Sequence, residues 1–235
     1  MARFGIHNLV FSSSATVYGN NASAPLQETA TGKRPNSPYG QSKLIAEGIL
    51  NQLSKSNKNW NIAILRYFNP IGAHPSGLLG EDAPNPSDNL LPRIIQVAAG
   101  EAKELLIYGL DYPTIDGSGI RDYIHVMDIA EGHLMALKYA NARRGCFTWN
   151  LGSGKGCSVL EMVRSFEAVT GIAIPFRAAP RRPGDVAEYR CDPTKAQREL
   201  GWHAKRDVQA AIQDAWRWHL RRANSMTNGR GRHPA

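Results

Sequence analysis

Apolar residues fall in short blocks along this chain, separated by polar or glycine-rich stretches. His7-Asn8-Leu9-Val10-Phe11 is one such block, and Asn61-Ile62-Ala63-Ile64-Leu65-Arg66-Tyr67-Phe68 is another. Short continuous apolar runs of this length predict buried parallel strands. Residues 104–108 and 146–151 predict two more strands, and 172–177 is strand-like. Between them apolar residues recur at helical spacing. Leu44, Ile45, Ile49, Leu50 and Leu53 form a stripe in a helix predicted to run to about Ser56. Helices are also predicted over 89–100, from Asp128 as N-cap to about Ala142, and from the capping box Ser158-Val159-Leu160-Glu161 to Gly171. Asp192-Pro193 caps a short helix that stops at Gly201, and 207–222 is amphipathic around Trp216. Strand and helix signals in alternation argue for an α/β fold with a parallel sheet. Residues 20–36 read as a polar loop, 116–119 as a turn, and 74–88, rich in Pro, Gly and acids, as a long functional loop.

Composition narrows the picture little. The chain has 235 residues, 42% hydrophobic and 20% charged, an ordinary globular mix sufficient for one large domain or two small ones. No run of about 18 apolar residues exists, so no membrane span is expected. The start lacks the apolar region and cleavage site of a signal peptide. Cys146, Cys157 and Cys191 are scattered and odd in number, which suggests neither a disulfide framework nor a metal site, and a cytoplasmic location is the default. The net charge of +8 raises nucleic acid as a partner. Part of the excess, however, is terminal (Arg217, Arg221, Arg222, Arg230, Arg232), and no basic run is interleaved with aromatics. An anionic small molecule is the better-matched partner, since phosphates are held by Arg and Lys.

The chemistry concentrates in Ser37-Pro38-Tyr39-Gly40-Gln41-Ser42-Lys43. Ser37 is a good N-cap and Pro38 suits the first helical position. Tyr39 and Lys43 are then four apart and share a helix face. A cation held beside a phenol favours the phenolate, which makes such a Tyr a credible general acid/base. The 7–11 strand ends in Ser12-Ser13-Ser14-Ala15-Thr16-Val17-Tyr18-Gly19, where open α/β sheets place their ligands. One further glycine-rich stretch, Gly152-Ser153-Gly154-Lys155-Gly156, sits between a strand and a helix. The third glycine of a dinucleotide fingerprint would fall at Cys157, and no acid follows about 20 residues on, so it reads as a structural loop.

A strand-end Ser followed by Tyr-x-x-x-Lys resembles the extended short-chain dehydrogenase/reductase superfamily, and within it the UDP-glucose 4-epimerase (UDP-galactose 4-epimerase) family. The resemblance runs to about His219 through Arg66-Tyr67-Phe68-Asn69-Pro70, Gly72-Ala73-His74, Gly80-Glu81-Asp82, Asn89-Leu90, Arg121-Asp122-Tyr123-Ile124-His125-Val126, Asn150-Leu151-Gly152 and Arg181-Arg182-Pro183-Gly184-Asp185-Val186. It implies the later part of a Rossmann-like NAD-binding domain over 1–71, and a smaller α/β UDP-sugar domain over 72–223 with segments returning to the first. Residues 224–235 are expected to be a disordered tail.

The resemblance also implies NAD-dependent epimerisation at C4 of a UDP-hexose, in galactose metabolism, through a 4-keto intermediate. Tyr39 as phenolate would take the C4 hydroxyl proton, Lys43 would support it, and Ser14 would hydrogen-bond the reacting oxygen. Tyr39, Lys43, Tyr67 and Phe68 would meet the cofactor. For the UDP-sugar it suggests Ser14, Ala15, Thr16, Asn69, Asn89, Leu90, Leu106, Ile107, Tyr108, Arg121, Arg182, Asp185 and Tyr189. Arg121 and Arg182 would clamp the diphosphate, Tyr108 would face uracil, and Asp185 would accept from the ribose. Tyr189 would limit the sugar pocket and favour the glucose/galactose pair. Asp88 departs from the family's more usual Asn. The family commonly forms dimers through helices including the Tyr39 helix.

The family opens with a glycine-rich phosphate loop and early βαβ units that have no counterpart ahead of His7. The expectation is a chain lacking about a hundred residues, roughly one βαβαβ half, with the 7–11 strand edge left open. It would bind NAD weakly and turn over slowly. Two alternatives stand beside the epimerase. A non-catalytic UDP-sugar-binding fragment is one. A related nucleotide-sugar epimerase or 4,6-dehydratase is the other, but Ala15-Thr16 lies where a dehydratase carries its Asp-Glu elimination pair.

Overall fold

The two longest apolar runs pair side by side. β1 (Asn8–Ser14) lies parallel to β2 (Asn61–Tyr67), and β2 lies parallel to β6 (Gly145–Leu151), in the order β1-β2-β6. In this computed structural model residues 1–20, 24–30, 34–82 and 86–229 are described. Asn61 to Arg66 are all buried, as a central parallel strand covered on both faces requires. The register aligns Ser14 with Tyr67 and Tyr67 with Leu151, so three strands deliver their last residues to one edge of the sheet. Among the described strands β1 has no neighbour on its other side, as expected of an open edge. β6 comes from beyond residue 72 and returns to this sheet.

α1 (Pro38–Ser56) crosses from β1 to β2. Its start is where the sequence puts it, with Ser37 Oγ accepting from Gly40 N at 3.1 Å and Pro38 in the first turn. Its apolar stripe divides: Leu44, Leu50 and Leu53 pack against buried cores, while Ile45 and Ile49 are 53% and 63% exposed and Gly40, Glu47 and Ser54 are buried. Glu47 faces inward because of Arg66, a guanidinium inside a buried strand that needs a carboxylate.

The remainder is built on β3 (Asn69–Ile71), which pairs in parallel with β5 (Ile120–His125). β5 pairs antiparallel with β7 (Gly156–Ser158) and parallel with β9 (Glu188–Tyr189), and β4 (Leu105–Tyr108) pairs with β8 (Phe176–Ala179). α2 (Leu90–Ala98), α4 (Val159–Thr170) and α6 (Val208–Gly229) close a core around Leu91, Ile94, Ile107, Phe166 and Ile212. A second core forms where α3 (Val126–Ala142) and α5 (Thr194–Leu200) meet the first sheet at Leu65, Ala136, Trp149 and Trp202.

Three local expectations change, and one strand went unannounced. Asp128 does not cap α3; His125 does, Nδ1 accepting from Met127 N at 3.0 Å, while the buried Asp128 accepts from Lys205 N and Arg206 N. β5 carries Arg121, Asp122 and His125, so no apolar run announced it. The strand expected over 172–177 begins only at Phe176, because Ile174 N donates to Glu167 Oε1 rather than to a ladder. α6 continues to Gly229, into the segment expected to be a tail; residues 230–235 lie outside the described ones. Ahead of that segment the helix is anchored by three of the terminal arginines. Arg217 and Arg221 donate to the carbonyls of Pro75 and Ser76, and Arg222 pairs with Asp82 at 2.6 Å. The 152–156 stretch is a structural loop, held by Asp122, whose carboxylate accepts from Ser153 N, Gly154 N and Cys191 N.

Candidate active site

A cleft of about 550 Å³ opens at the C-terminal ends of β1 and β2. Ser14, Ala15 and Thr16 form one lip with Tyr39 beside them. Phe68 and Asn69, in the chain that leaves β2, line the floor, and Arg121, Asp185 and Tyr189 form the far wall. Eleven of the residues expected from sequence are thus brought together, Tyr67 and Asn89 completing the set.

The three strand-end serines divide their work. Ser13 is buried and donates to Glu47 Oε1 at 2.6 Å. The Ser12 carbonyl accepts from Lys43 Nζ at 2.8 Å. Only Ser14 faces the cleft, its Oγ accepting from Thr16 N at 3.2 Å and from Thr16 Oγ1 at 3.0 Å. That cap starts the 3-10 turn Ala15–Tyr18 and fixes the Ser14 hydroxyl at the lip. Tyr39 is 55% exposed, and Lys43 Nζ lies 5.5 Å from its ring centroid and 5.2 Å from that of Phe11. The helical spacing therefore does hold an ammonium beside the phenol. Tyr67 lies 2.8 Å from Ser12 Oγ and 2.5 Å from His133 Nε2 through its hydroxyl. Burial pushes the Tyr67 phenol up, so it stands in the cleft as a neutral hydroxyl.

The far wall is assembled by the two-residue pairing of β9 with β5, which sets Tyr189 opposite Arg121. Arg121 NH1 donates to the carbonyls of Ile120 and Val186, and its NH2 lies 3.7 Å from Asp185 Oδ1. Arg182 Nε donates to Asp185 Oδ2 at 3.0 Å. Asp185 thus sits between two guanidiniums. Tyr189 is half-buried and donates to the Ala15 carbonyl at 2.5 Å, so the far wall is bonded directly to the near lip. Burial pushes its phenol well up, keeping that donor protonated. Across the rim, Asn20 Nδ2 donates to the Gly184 carbonyl.

Leu90, Leu106, Ile107 and Tyr108 stand apart from the cleft lining. Ile107 is buried in the α2/α4/α6 core, and Leu90 packs against that same core. Leu106 is half-buried on β4. Tyr108 is exposed, but the Arg182 guanidinium lies 5.0 Å from its ring centroid and covers one face. Asn89 lines the cleft while its Nδ2 donates to Glu81 Oε1 at 3.2 Å. Glu47, Arg66, Tyr18 and Asn150 form a buried network beneath the lip; the last three fall inside the quoted motifs, but none was given a role from sequence. A charged residue inside an apolar strand was the available signal, because such a residue is buried only with partners.

A family model described as GDP-mannose 4,6 dehydratase matches residues 2–215. The UDP-glucose 4-epimerase of Bacillus subtilis (strain 168) is 50% identical over 224 residues, covering 95% of this chain and 66% of that protein. That of Yersinia enterocolitica is 52% identical over 224 residues, with the same two coverages. The chain therefore spans just under two thirds of the length of these curated relatives. Among solved structures, the UDP-glucose-4-epimerase from Stenotrophomonas maltophila with bound NAD and formylated UDP-arabinopyranose superposes with a TM-score of 0.93 at 47% identity, over 96% of this chain and 67% of that one. The Bifidobacterium longum UDP-glucose 4-epimerase in complex with NAD+ and UDP gives 0.87 at 44% identity, over 95% and 67%.

Proposed function

The chain belongs to the UDP-glucose 4-epimerase family, and we propose that it carries the proton-transfer site and nucleotide-sugar face for interconverting UDP-galactose and UDP-glucose at C4. The observation that carries this is one cleft holding Ser14 and Tyr39 at one side and Arg121 with Asp185 at the other. Tyr39 takes the proton of the C4 hydroxyl and returns it to the opposite epimer. Ser14 donates to the same oxygen. Lys43 keeps positive charge beside the Tyr39 ring. Arg121, already held by two carbonyls, presents its remaining donors to the diphosphate, and Arg182 joins it once phosphate replaces Asp185 as its anion. Tyr189, fixed to Ala15, closes the sugar end and favours hexoses without an N-acetyl arm. The sugar passes through a 4-keto state that turns within the cleft.

The residues present fit the nicotinamide end of NAD: Phe68 gives an apolar wall, Tyr67 a neutral phenol and Lys43 an ammonium at the open end of β1. The dinucleotide, when bound, supplies acceptance and return of the C4 hydride. The 4,6-dehydratase reading is disfavoured by Ala15 and Thr16 at the lip, which offer no acid–base pair for elimination. We also propose a homodimer through the exposed α1 face at Ile45 and Ile49, and a cytoplasmic location, which three free cysteines suit. Among the described residues no helix is long and apolar enough to cross a membrane.

The test is conversion of UDP-galactose to UDP-glucose by the purified chain, with and without added NAD, alongside Tyr39→Phe. The expected result is NAD-dependent conversion abolished by Tyr39→Phe, with UDP affinity retained in the variant. UDP binding with no conversion at any NAD concentration would instead identify a binding module.

A further inference from the structure

Glu47 lies on α1 two turns beyond Tyr39 and one beyond Lys43, on the face turned to the sheet. It and Arg66 are buried to 5% and 4% side-chain exposure. Charges this deep persist only when each satisfies the other. Arg66 Nε donates to Glu47 Oε1 at 2.9 Å and Arg66 NH2 to Oε2 at 2.6 Å, a two-pronged match. Ser13 Oγ adds a third donor to Oε1. On the other side Arg66 NH1 donates to Tyr18 Oη at 2.9 Å, and Tyr18 donates to Asn150 Oδ1 at 2.7 Å. Burial pushes the Tyr18 phenol up to about 12, so it keeps the proton this bond needs. Asn150 Nδ2 then donates to the Leu26 carbonyl.

Each attachment point sits next to a cleft residue. Ser13 precedes Ser14, Arg66 precedes Tyr67, and Tyr18 ends the 3-10 turn that starts at Ala15. We propose that Glu47 is a positioning residue for proton transfer: it ties the helix carrying Tyr39 to the strand end carrying Ser14 and thereby sets the separation of their hydroxyls. This rests on the reading of Ser14 and Tyr39 given above. Among the described residues no hydrogen bond joins Arg121, Arg182 or Asp185 directly to the network, so loss of the tie weakens chemistry and spares UDP binding.

Ser13→Ala tests this surgically, since it removes the bond from the strand end to Glu47 and leaves the Arg66 pair intact. kcat per calorimetrically titrated UDP site is expected to fall about tenfold, in line with a sub-ångström misplacement of reacting groups. KM for UDP-galactose and Kd for UDP stay within about twofold, and Ser13→Thr, which keeps the hydroxyl on a strand-compatible side chain, restores kcat. Asn51→Ala removes a bond to the Glu47 carbonyl outside the network and leaves kcat unchanged. An unaltered kcat in folded Ser13→Ala, or kcat and UDP affinity falling together, overturns the proposal. Should the parent chain show no conversion, the functional reading fails by itself, and amide exchange decides the tie. Faster exchange over 12–18 and the first turns of α1 than over 120–125 supports it; uniform or absent change overturns it.

Discussion

Two glycines on α1 separate helix propensity from close approach. A Cβ at Gly40 would lie 2.9 Å from both Pro35 Cβ and the Thr16 carbonyl oxygen and 3.3 Å from Thr16 C; a Cβ at Gly48 would meet nothing within 4 Å. Gly48→Ala therefore gains what alanine gains over glycine in a helix, up to about 1 kcal/mol. Gly40→Ala must move the helix start off the 3-10 turn by roughly 0.5 Å to reach ordinary contact. The overpacking costs about 1–3 kcal/mol, set against a propensity gain of less than about 1 kcal/mol in the first turn. The two variants should thus differ by about 1–3 kcal/mol in urea unfolding, with opposite signs or with Gly40→Ala near zero. The same shift moves Tyr39, next in sequence, against Ser14, and UDP-galactose conversion by Gly40→Ala should fall about tenfold while Gly48→Ala converts normally. The reasoning is refuted if Gly40→Ala is as stabilising as Gly48→Ala and equally active, for then the helix start does not bear on the turn.

Arg121→Lys keeps the charge but loses the fork held by the Ile120 and Val186 carbonyls, and UDP affinity measured by calorimetry should drop at least tenfold, where a simple point-charge role would leave it unchanged. Burial holds the buried His125 below the ordinary histidine value against the opposing pull of Asp214 at 3.3 Å, so the unfolded chain protonates first. Stability is then complete above about pH 6.5 and declines as pH falls below it; His125→Asn, which keeps an acceptor for Met127 N, should flatten that slope in urea melts between pH 7 and 5. Burial pushes the Cys146 thiol up to about 11 and that of Cys157 up to about 12. At pH 8 about one Cys146 in a thousand is thiolate, and alkylation by iodoacetamide followed by mass spectrometry should run on the order of a hundredfold slower than for a free cysteine, with a rate equal to the free thiol counting against the burial.

Much of this arrangement was legible in the chain itself. Ser37 and Pro38 fixed where α1 begins, and four-residue spacing then placed Lys43 beside Tyr39. The Ser158–Glu161 capping box and the apolar run of β2 were equally local signals, and both elements form where expected. The far wall was harder to read. β9 has two residues, too few for any pattern, and it reaches Arg121 only through pairing across more than sixty positions. Tyr108 looked like an open aromatic face because nothing near it in sequence reveals that Arg182 lies over the ring. The exposure of Ile45 and Ile49 escaped for a related reason: an apolar stripe is a statement about average burial, and here Leu44, Leu50 and Leu53 share the inner side with a buried Glu47.

The misses share a cause that points to how the cleft is held. Glu47, Arg66, Asp122 and Asp128 are buried charges within helices or strands, and hydrophobic patterning treats each as noise. In the fold each carboxylate collects donors from distant segments: Glu47 from β1 and β2, Asp122 from the loop after β6 and from Cys191 beside β9, and Asp128 from the chain before α6. Burial alone would raise the Asp122 carboxyl and favour its neutral form, and it does raise it, while three backbone donors and the Ser153 hydroxyl pull the other way. A group balanced like that tolerates no slack, because withdrawing any one donor leaves a buried charge short of partners. Glu47 sits under the lip that holds Ser14, and Asp122 lies one residue from Arg121 on the opposite wall. The two walls of the cleft therefore each hang from a buried carboxylate, and the Tyr189 bond to Ala15 joins them at the top. Both walls thus rest on charges that apolar periodicity cannot register.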